Sequence, residues 1–541
     1  MKLEEFVIKY RLPIILLTFI VTILVAIPLR NAKIDAGTKN FLPKNIPSRV
    51  NTEKVDEIFG GSEPLMLLFE TDDILNDSTL SRIKSICRKF DQMKELDKVM
   101  SLFHMKNISG EYGTMIIDPA IKRIPKTEKQ REKLRSELLA NEMVMGVVVS
   151  NDFRYTMVLA TLKPETNEVE VLNKIDLLLA EYPGRATIHY GGTPYIRRFI
   201  EKDINTDFSI LLPIALLIML VFLYFSFREK RGVLLPFSVV LLSIVFSMGI
   251  LPLLGWSISI VTILVPIMLI AIANDYGIHF ISYYQEINTA HPDWSMKQIV
   301  QQSVLHLKKP VTITALTTVA GILGLLAHVM VPARQVGVAA ALGIVFALLL
   351  SLLYIPAFLS YMKKGKPIHE HRNGKRSLLD RFLVKIGIIV CMYPKRVVII
   401  SLIIMLVIGS GILRLKVDSN TENLFPEKHP VKVCTKIIND ELSGSSNILL
   451  MFEGDIKSPS ILKKMDLIEK ELINEPGIGD VFSLATVLRQ MSKALNEPED
   501  SSYNKIPDNR NAIAQYLELY LMNGDYDDLE QLVNFDFTQA C

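Results

Sequence analysis

Apolar residues in this chain are gathered into long runs, separated by polar stretches of very unequal length. The first run, residues 12–29, holds no Asp, Glu, Lys or Arg and is bounded by Arg11 and Arg30. At about 1.5 Å per residue it nearly crosses a hydrocarbon core of roughly 30 Å. A cleaved signal peptide is the alternative, because Lys2, Lys9 and Arg11 precede the run; against it, the run ends Ala26-Ile27-Pro28-Leu29 without a small-x-small pattern. The apolar signal returns at 208–227. It then continues uncharged from Gly232 to Asn274, 43 residues, enough for two spans, with Pro252 and Leu254-Gly255-Trp256 as the break. Runs at 311–330, 336–361 and 397–413 bring the expected membrane spans to seven.

Between the first and second spans the periodicity changes. Strands are expected at 65–70, 98–103, 143–149, 155–162 and 186–190, and helices at 78–96, 126–139 and 168–182. That pattern predicts an α+β domain of split βαβ type, with a last helix that begins at Thr193 and runs into the second span. The fold class is therefore a polytopic α-helical membrane protein with α+β domains outside the membrane. Expected boundaries are 1–30 (N-terminal segment and first span), 31–207 (first outside domain), 208–362 (spans two to six), 363–395 (linker), 396–414 (seventh span) and 415–541 (second outside domain).

The two outside segments share a pattern. Asp35, Thr38, Asn40, Pro43 and Pro47 coincide at one constant offset with Asp418, Thr421, Asn423, Pro426 and Pro430. The same offset places Gly61-Ser62 on Gly444-Ser445 and the apolar run 65–70 on 448–453. A one-residue slip then aligns Val99-Met100-Ser101-Leu102 with Val481-Phe482-Ser483-Leu484. Amphipathicity does not demand shared prolines and polar residues, so an internal repeat is expected. Its second copy would be truncated, because Cys541 falls opposite Val158, within an expected strand. The sequence accordingly reads as a fragment of a twelve-span protein, the alternative being a half-plus molecule completed by another subunit.

Composition sharpens this reading. A mean hydropathy of +0.30 averages apolar spans over polar domains, and the 50% hydrophobic content excludes disorder. With 60 basic against 57 acidic residues, net charge +3, nucleic acid is not an expected partner. Four cysteines, Cys87, Cys391, Cys434 and Cys541, do not make a disulfide scaffold. Basic residues concentrate in alternate short loops: Arg228, Lys230 and Arg231; Lys297, Lys308 and Lys309; then Lys363, Lys364, Lys366, Arg372, Lys375 and Arg376. The positive-inside rule makes these loops and the N-terminus cytoplasmic and puts both long polar segments on the other side.

Chemistry centres on Ala273-Asn274-Asp275-Tyr276-Gly277-Ile278-His279-Phe280 in the fourth span. A mid-helix carboxylate costs about 2.5–3.5 kcal/mol on insertion scales, so Asp275 is the leading functional candidate. His279 lies one turn on, able to bond the carboxylate or relay its proton. The competing reading puts Asp275 at the cytoplasmic end of its helix, reaching interfacial water, with Tyr276 and His279 as interface anchors. In the fifth span Thr314, Thr317 and Thr318 could form a polar track, although threonines in membrane helices commonly bond back to their own helix. Gly321, Gly324, Gly337 and Gly343 are expected to permit close helix packing. No zinc spacing, P-loop, nucleophile elbow or dinucleotide fingerprint is present, so no metal, cofactor, ATP-driven or hydrolytic chemistry is expected.

Residues 274–279, 314–321, 336–343 and Tyr354-Ile355-Pro356-Ala357, in this layout, resemble the resistance-nodulation-division superfamily. The similar branch is the hydrophobe/amphiphile exporters, including the mycobacterial-type large membrane proteins (MMPL), related to Patched and sterol-sensing-domain proteins. The resemblance implies a sterol-sensing-type bundle for spans two to six and porter-type outside domains through which substrate moves. It also implies proton uptake at Asp275 and Tyr276, with an acid from a tenth span that this sequence lacks. The expected function is proton-motive-force-driven export of hydrophobic or amphiphilic molecules, lipids among the candidates, by a multi-pass protein of the bacterial inner membrane. Membrane lipids and the substrate are the expected partners, with a homo-oligomer of the full-length protein. The alternatives are a sterol-sensing-like lipid receptor or regulator, and an accessory subunit in polypeptide translocation.

Overall fold

The computed structural model describes residues 2–541 apart from 36, 38–40, 61–62, 112–113, 164–165, 366–377, 418–422, 424 and 525–528. Parts of the repeat pattern, including Thr38, Asn40, Gly61, Ser62, Asp418 and Thr421, lie outside the described residues. So do the basic Lys366, Arg372, Lys375 and Arg376.

Along the chain, α1 (Leu3–Lys9), α2 (Arg11–Ala26) and the short β1 (Ile34–Asp35) come first. Then follow α3 (Pro47–Phe59), β2 (Pro64–Glu70), α4 (Asp77–Asp91), β3 (Leu96–Met100) and the hairpin β4 (Lys106–Glu111) and β5 (Thr114–Pro119). Next are α5 (Glu128–Leu139), β6 (Tyr155–Leu162), α6 (Glu168–Glu181) and β7 (Thr187–Gly192). The apolar runs form α7 (Thr193–Phe227), α8 (Lys230–Leu253), β8 (Ile258–Ser259), α9 (Leu264–Ala290), α10 (Met296–Leu323), α11 (Val331–Leu349), α12 (Ile355–Leu359), α13 (Leu378–Met392) and α14 (Pro394–Gly409). Last come α15 (Pro430–Glu441), β9 (Phe452–Glu453), α16 (Pro459–Ile473), α17 (Leu484–Leu495), α18 (Arg510–Asn523) and β10 (Gln539–Ala540).

The chain divides into two compact units, Met1–Pro43 with Ile200–Ser419, and Lys44–Phe199 with Asn420–Cys541. In the first, seven helices among the described residues are long and apolar enough to cross a membrane: Arg11–Asn31, Thr193–Phe227, Lys230–Leu253, Val261–Ala290, Met296–Ala327, Val331–Leu359 and Pro394–Arg414. The core of the bundle joins Leu223, Val239, Leu269, Tyr276, Phe280, Val304, Ala340 and Ile344, and α14, with no buried residue, takes no part in it. Lipid tails are as apolar as these side chains, so close fit rather than water exclusion must hold the helices together. Glycine supplies that fit. A Cβ on Gly249 of α8 would come within 2.2 Å of the Val25 carbonyl of α2, and one on Gly277 of α9 within 2.8 Å of Pro236 of α8.

The second unit carries a four-stranded sheet in the order β3-β6-β2-β7, every neighbouring pair antiparallel. β2 and β3 are thus separated by β6, the split βαβ arrangement read from the sequence. Residues 65–69 are apolar throughout because both sheet faces are covered. Leu65, Leu67 and Phe69 pack with Ile83, Ile86 and Phe90 of α4 and Ile175 of α6. Met66 and Leu68 turn the other way, onto Cys434 and Ile438 of α15. A further core joins Ile108, Met115 and Ile117 of the β4–β5 hairpin to Leu488 and Met491 of α17 and Ile513 and Leu517 of α18.

Several local expectations need correction. The stretch 143–149 forms turns with isolated bridges, not a strand. Gly146, at φ +77°, turns the backbone there, and Val144, Val148 and Val149 are buried beneath α5 instead. The segment 448–453, aligned with the strand 65–70, is extended as a strand only at Phe452–Glu453, the two residues that β10 pairs with; without a neighbour to complete its ladder, Ile448 stays 84% exposed. Val481-Phe482-Ser483, aligned with Val99-Met100-Ser101, forms the approach to α17, for which Ser483 is the N-cap. The hairpin β4–β5, α3 and α13 were not foreseen. At the offset of the expected repeat, α3 and α15 each open on a proline, Pro47 and Pro430, and α4 lies at the place of α16.

Candidate functional site

α9 brings Asp275 and His279 together as the i,i+4 spacing requires: His279 Nε2 lies 3.3 Å from Asp275 Oδ1. Both point outward from the bundle, with side chains 51% and 60% exposed. Tyr276 points the opposite way. It is 2% exposed, and its hydroxyl lies close to Thr318 yet makes no hydrogen bond of good geometry. The neighbouring Asn274 Oδ1 is also buried and unpaired. Unsatisfied polar atoms inside a membrane bundle are costly, and two within one turn mark this stretch as specialised.

The threonines of α10 bond their own helix: Thr314 Oγ1 donates to the Pro310 carbonyl at 3.0 Å, and Thr317 and Thr318 donate to the Thr314 carbonyl at 2.9 and 2.8 Å. Their hydrogens are therefore spent, and only oxygen lone pairs are left to face outward. Of the four glycines expected to pack, two do. A Cβ on Gly337 would meet Leu325 Cβ at 3.0 Å, and one on Gly343 would meet Ser247 Cβ and Leu269 Cδ1 at 2.9 Å. Gly321 and Gly324 instead face open space, with no atom within 4 Å of such a Cβ, because the outer face of α10 is not covered by another helix of this unit.

Sequence reasoning missed the serines. Ser351 Oγ donates to the Tyr276 carbonyl at 2.9 Å, and Ser247 Oγ donates to the Ala339 carbonyl at 2.6 Å. Both serines are fully buried. Their signal was available in part, since each is a hydroxyl inside an uncharged apolar run, although Ser238 and Ser243 share the run of Ser247, and Ser360 that of Ser351. Ser351 lies in a π-helical turn, Leu350–Tyr354, and the hint for that turn is Pro356 within the sixth span. At one end of the bundle the loops are tied together. Lys364 Nζ donates to the carbonyls of His291, Pro292 and Trp294, and Arg231 bonds Tyr284 and the Lys363 carbonyl.

The second unit holds adjoining cavities of about 720, 420 and 180 Å³. Asn447 and Leu449 line all three, and Met100 and Cys541 are shared by two. The largest is walled by Met100, Phe103, Met143, Phe482, Val487 and Leu529, with Asp91, His104, Lys98 and Glu530 among its polar residues; Lys98 and Glu530 pair at 3.0 Å. Flexible thioethers and aromatics suit an apolar guest of variable shape. No cluster of metal-binding side chains occurs among the described residues.

A family model described as the MMPL family matches residues 40–409. Over 354 residues the chain is 22% identical to the membrane protein MJ1562 of Methanocaldococcus jannaschii, covering 64% of this chain and 89% of that one.

Proposed function

Because the chain belongs to the MMPL family of the resistance-nodulation-division superfamily, which makes it a membrane transporter of hydrophobic molecules, we propose that it exports amphiphiles, lipids foremost, driven by the proton-motive force. The bacterial inner membrane is its place, with the N-terminus in the cytoplasm. The observation that carries this reading is the Asp275–His279 pair, 3.3 Å apart in the middle of a membrane helix. An acid there costs about 2.5–3.5 kcal/mol to insert, and neutralisation by a proton removes the charge and shifts the balance between helix arrangements. His279 hands the proton on.

Half-exposed as it is, Asp275 cannot face lipid tails cheaply. In the working assembly, a homo-oligomer in this proposal, protein covers the outer face of α9 and α10, where Gly321 and Gly324 leave room for close approach. The lone pairs of Thr314, Thr317 and Thr318 border the proton's path. Substrate occupies the Met-lined cavities of the second unit. The two-copy reading of the outside segments belongs to the same proposal, supported by the proline-opened helices α3 and α15 and by α4 and α16.

The test is proton flux in vesicles of phosphatidylethanolamine and phosphatidylglycerol holding a pH-sensitive dye, with a fluorescent single-chain lipid as substrate. Asp275→Asn should insert normally and lose lipid-coupled proton movement. Coupled movement at the unaltered rate would refute the assignment.

A further inference from the structure

The sixth span is not a uniform helix. After α11 the backbone widens into the π-helical turn Leu350–Tyr354, in which the Ile355 N–H donates to the Leu350 carbonyl five residues back. The cause is in the sequence. Pro356 has no N–H to give the Leu352 carbonyl, and its ring would collide with that carbonyl in a regular α-helix. A wide turn resolves the conflict, and such turns recur at functional sites and at bends.

This turn touches three other spans. Ser351 donates its only hydroxyl hydrogen to the Tyr276 carbonyl of α9, 2.9 Å away, with both residues buried. Tyr354 donates its hydroxyl to Ser238 of α8 at 3.4 Å, since Ser238 spends its own hydrogen on the Leu235 carbonyl at 2.7 Å, and sets its ring edge-on to Phe19 of α2, centroids 6.2 Å apart. α9 is gripped at the same level from another side, because Gly277 lies against Pro236 of α8. The Tyr276–Gly277 peptide, next to Asp275, is thus held between a fixed contact, Pro236, and the π-helical turn of the sixth span.

We propose that Ser351 is a positioning residue that ties the charge state of Asp275 to the bend of the sixth span. The inference rests on the proton-site reading of Asp275 and adds the route by which that site is felt elsewhere in the bundle. When Asp275 is neutral, α9 settles differently against its surroundings. The Ser351 bond carries that displacement into the turn at Leu350–Tyr354, where a missing α-helical bond makes bending cheap, and Tyr354 passes it to α2 and α8.

Hydrogen exchange read by mass spectrometry on the full chain, in vesicles of phosphatidylethanolamine and phosphatidylglycerol, tests the tie. With Ser351 present, Asp275→Asn should change exchange across residues 350–358 by at least about twofold. In the Ser351→Ala background that ratio should fall to one, and Ser351→Thr, which keeps the hydroxyl, should restore it. A purely structural serine would raise exchange equally with Asp275 and with Asn at 275. An unchanged ratio in Ser351→Ala overturns the proposal. If Asp275→Asn abolishes coupled proton movement yet leaves exchange at 350–358 unaltered even with Ser351 present, the proton site stands and the tie falls. If it affects neither, the proton-site reading fails and the tie with it.

Discussion

Removing the guanidinium of Arg489 should destabilise the second unit by an amount that can be worked out in advance. Arg489 of α17 pairs with both Asp466 and Glu469 of α16. Glu469 is 2% exposed and also accepts from Ser483 Oγ at 2.7 Å and Thr486 Oγ1 at 2.8 Å. Breaking a buried ion pair from one side costs about 3–5 kcal/mol. Here the two hydroxyls still serve Glu469, and Asp466, 19% exposed, keeps Lys470 at 2.7 Å. The expected loss for Arg489→Met is therefore about 2–3 kcal/mol, or roughly 5–10 °C in Tm at the few degrees per kcal/mol of a domain this large.

Acid should blur the difference. Burial works to raise the Asp466 pKa, but the hydrogen bonds and charges of Lys470 and Arg489 outweigh it and hold the carboxyl below its usual range. A depressed carboxyl stabilises the fold above its unfolded pKa of about 3.9 and loses that contribution as pH falls through the folded value. The unaltered protein should thus lose more stability than Arg489→Met as pH drops below about 4. The assay is thermal unfolding of the purified full chain between neutral pH and pH 3, with Arg489→Met/Glu469→Leu alongside. The double variant should recover part of the loss, because it leaves no unpaired buried carboxylate at 469. A single variant within about 0.5 kcal/mol of the parent, or a double variant no better than the single, would refute the reasoning. Phe482 and Val487, beside this cluster in sequence, line the largest cavity, so the same variant should weaken binding of a fluorescent single-chain lipid.

Three further outcomes follow from packing. Gly249→Ala should lower the melting temperature in detergent by an amount equivalent to about 1–3 kcal/mol, since its Cβ meets the Val25 carbonyl, whereas Gly321→Ala should be silent in the same assay. Gly110→Ala should loosen the β4–β5 hairpin, because a Cβ there would lie 1.8 Å from the Ala494 carbonyl; faster amide exchange over 106–119 is the readout, and unchanged exchange would count against the docking. A maleimide should label Cys391, which is exposed, well before Cys87, which is buried and whose thiol is pushed up to about 12 by desolvation. Mass spectrometry of peptides reads the order, and equal rates would contradict it.

Membrane helices were the most legible part of the chain because their signal is compositional and long: lipid leaves an exposed backbone no partner but itself. The start of α7 at Thr193, well before the apolar run, was legible too, and Arg197, which bonds Glu63 at 2.7 Å and Glu168 at 3.0 and 2.7 Å, anchors its polar first turns. The strand β2 could be read from residues 65–69, while 143–149, just as apolar, could not be told from a strand, because burial beneath a helix and burial in a sheet select the same side chains. At the site, Asp275 and His279 followed from charge and spacing. Ser351 did not, because, although Pro356 hints at the irregular turn, which carbonyl the serine meets depends on how the sixth span packs on α9, and which glycines pack depended on which helix faces meet.

The β4–β5 hairpin gives the protein a problem of timing. Its apolar residues, Ile108, Met115 and Ile117, find their cover on α17 and α18, which the ribosome delivers only after six further membrane helices. At about 5–20 residues per second, the roughly 370 residues between Pro119 and Ala494 take on the order of 20–75 s to make. Throughout that interval the hairpin waits with a bare oily face and open strand edges, available to any other unfinished chain. The protein's yield in a cell should therefore depend on what shelters the hairpin during synthesis, and a pause in translation within the membrane segment should harm it more than a pause after α18.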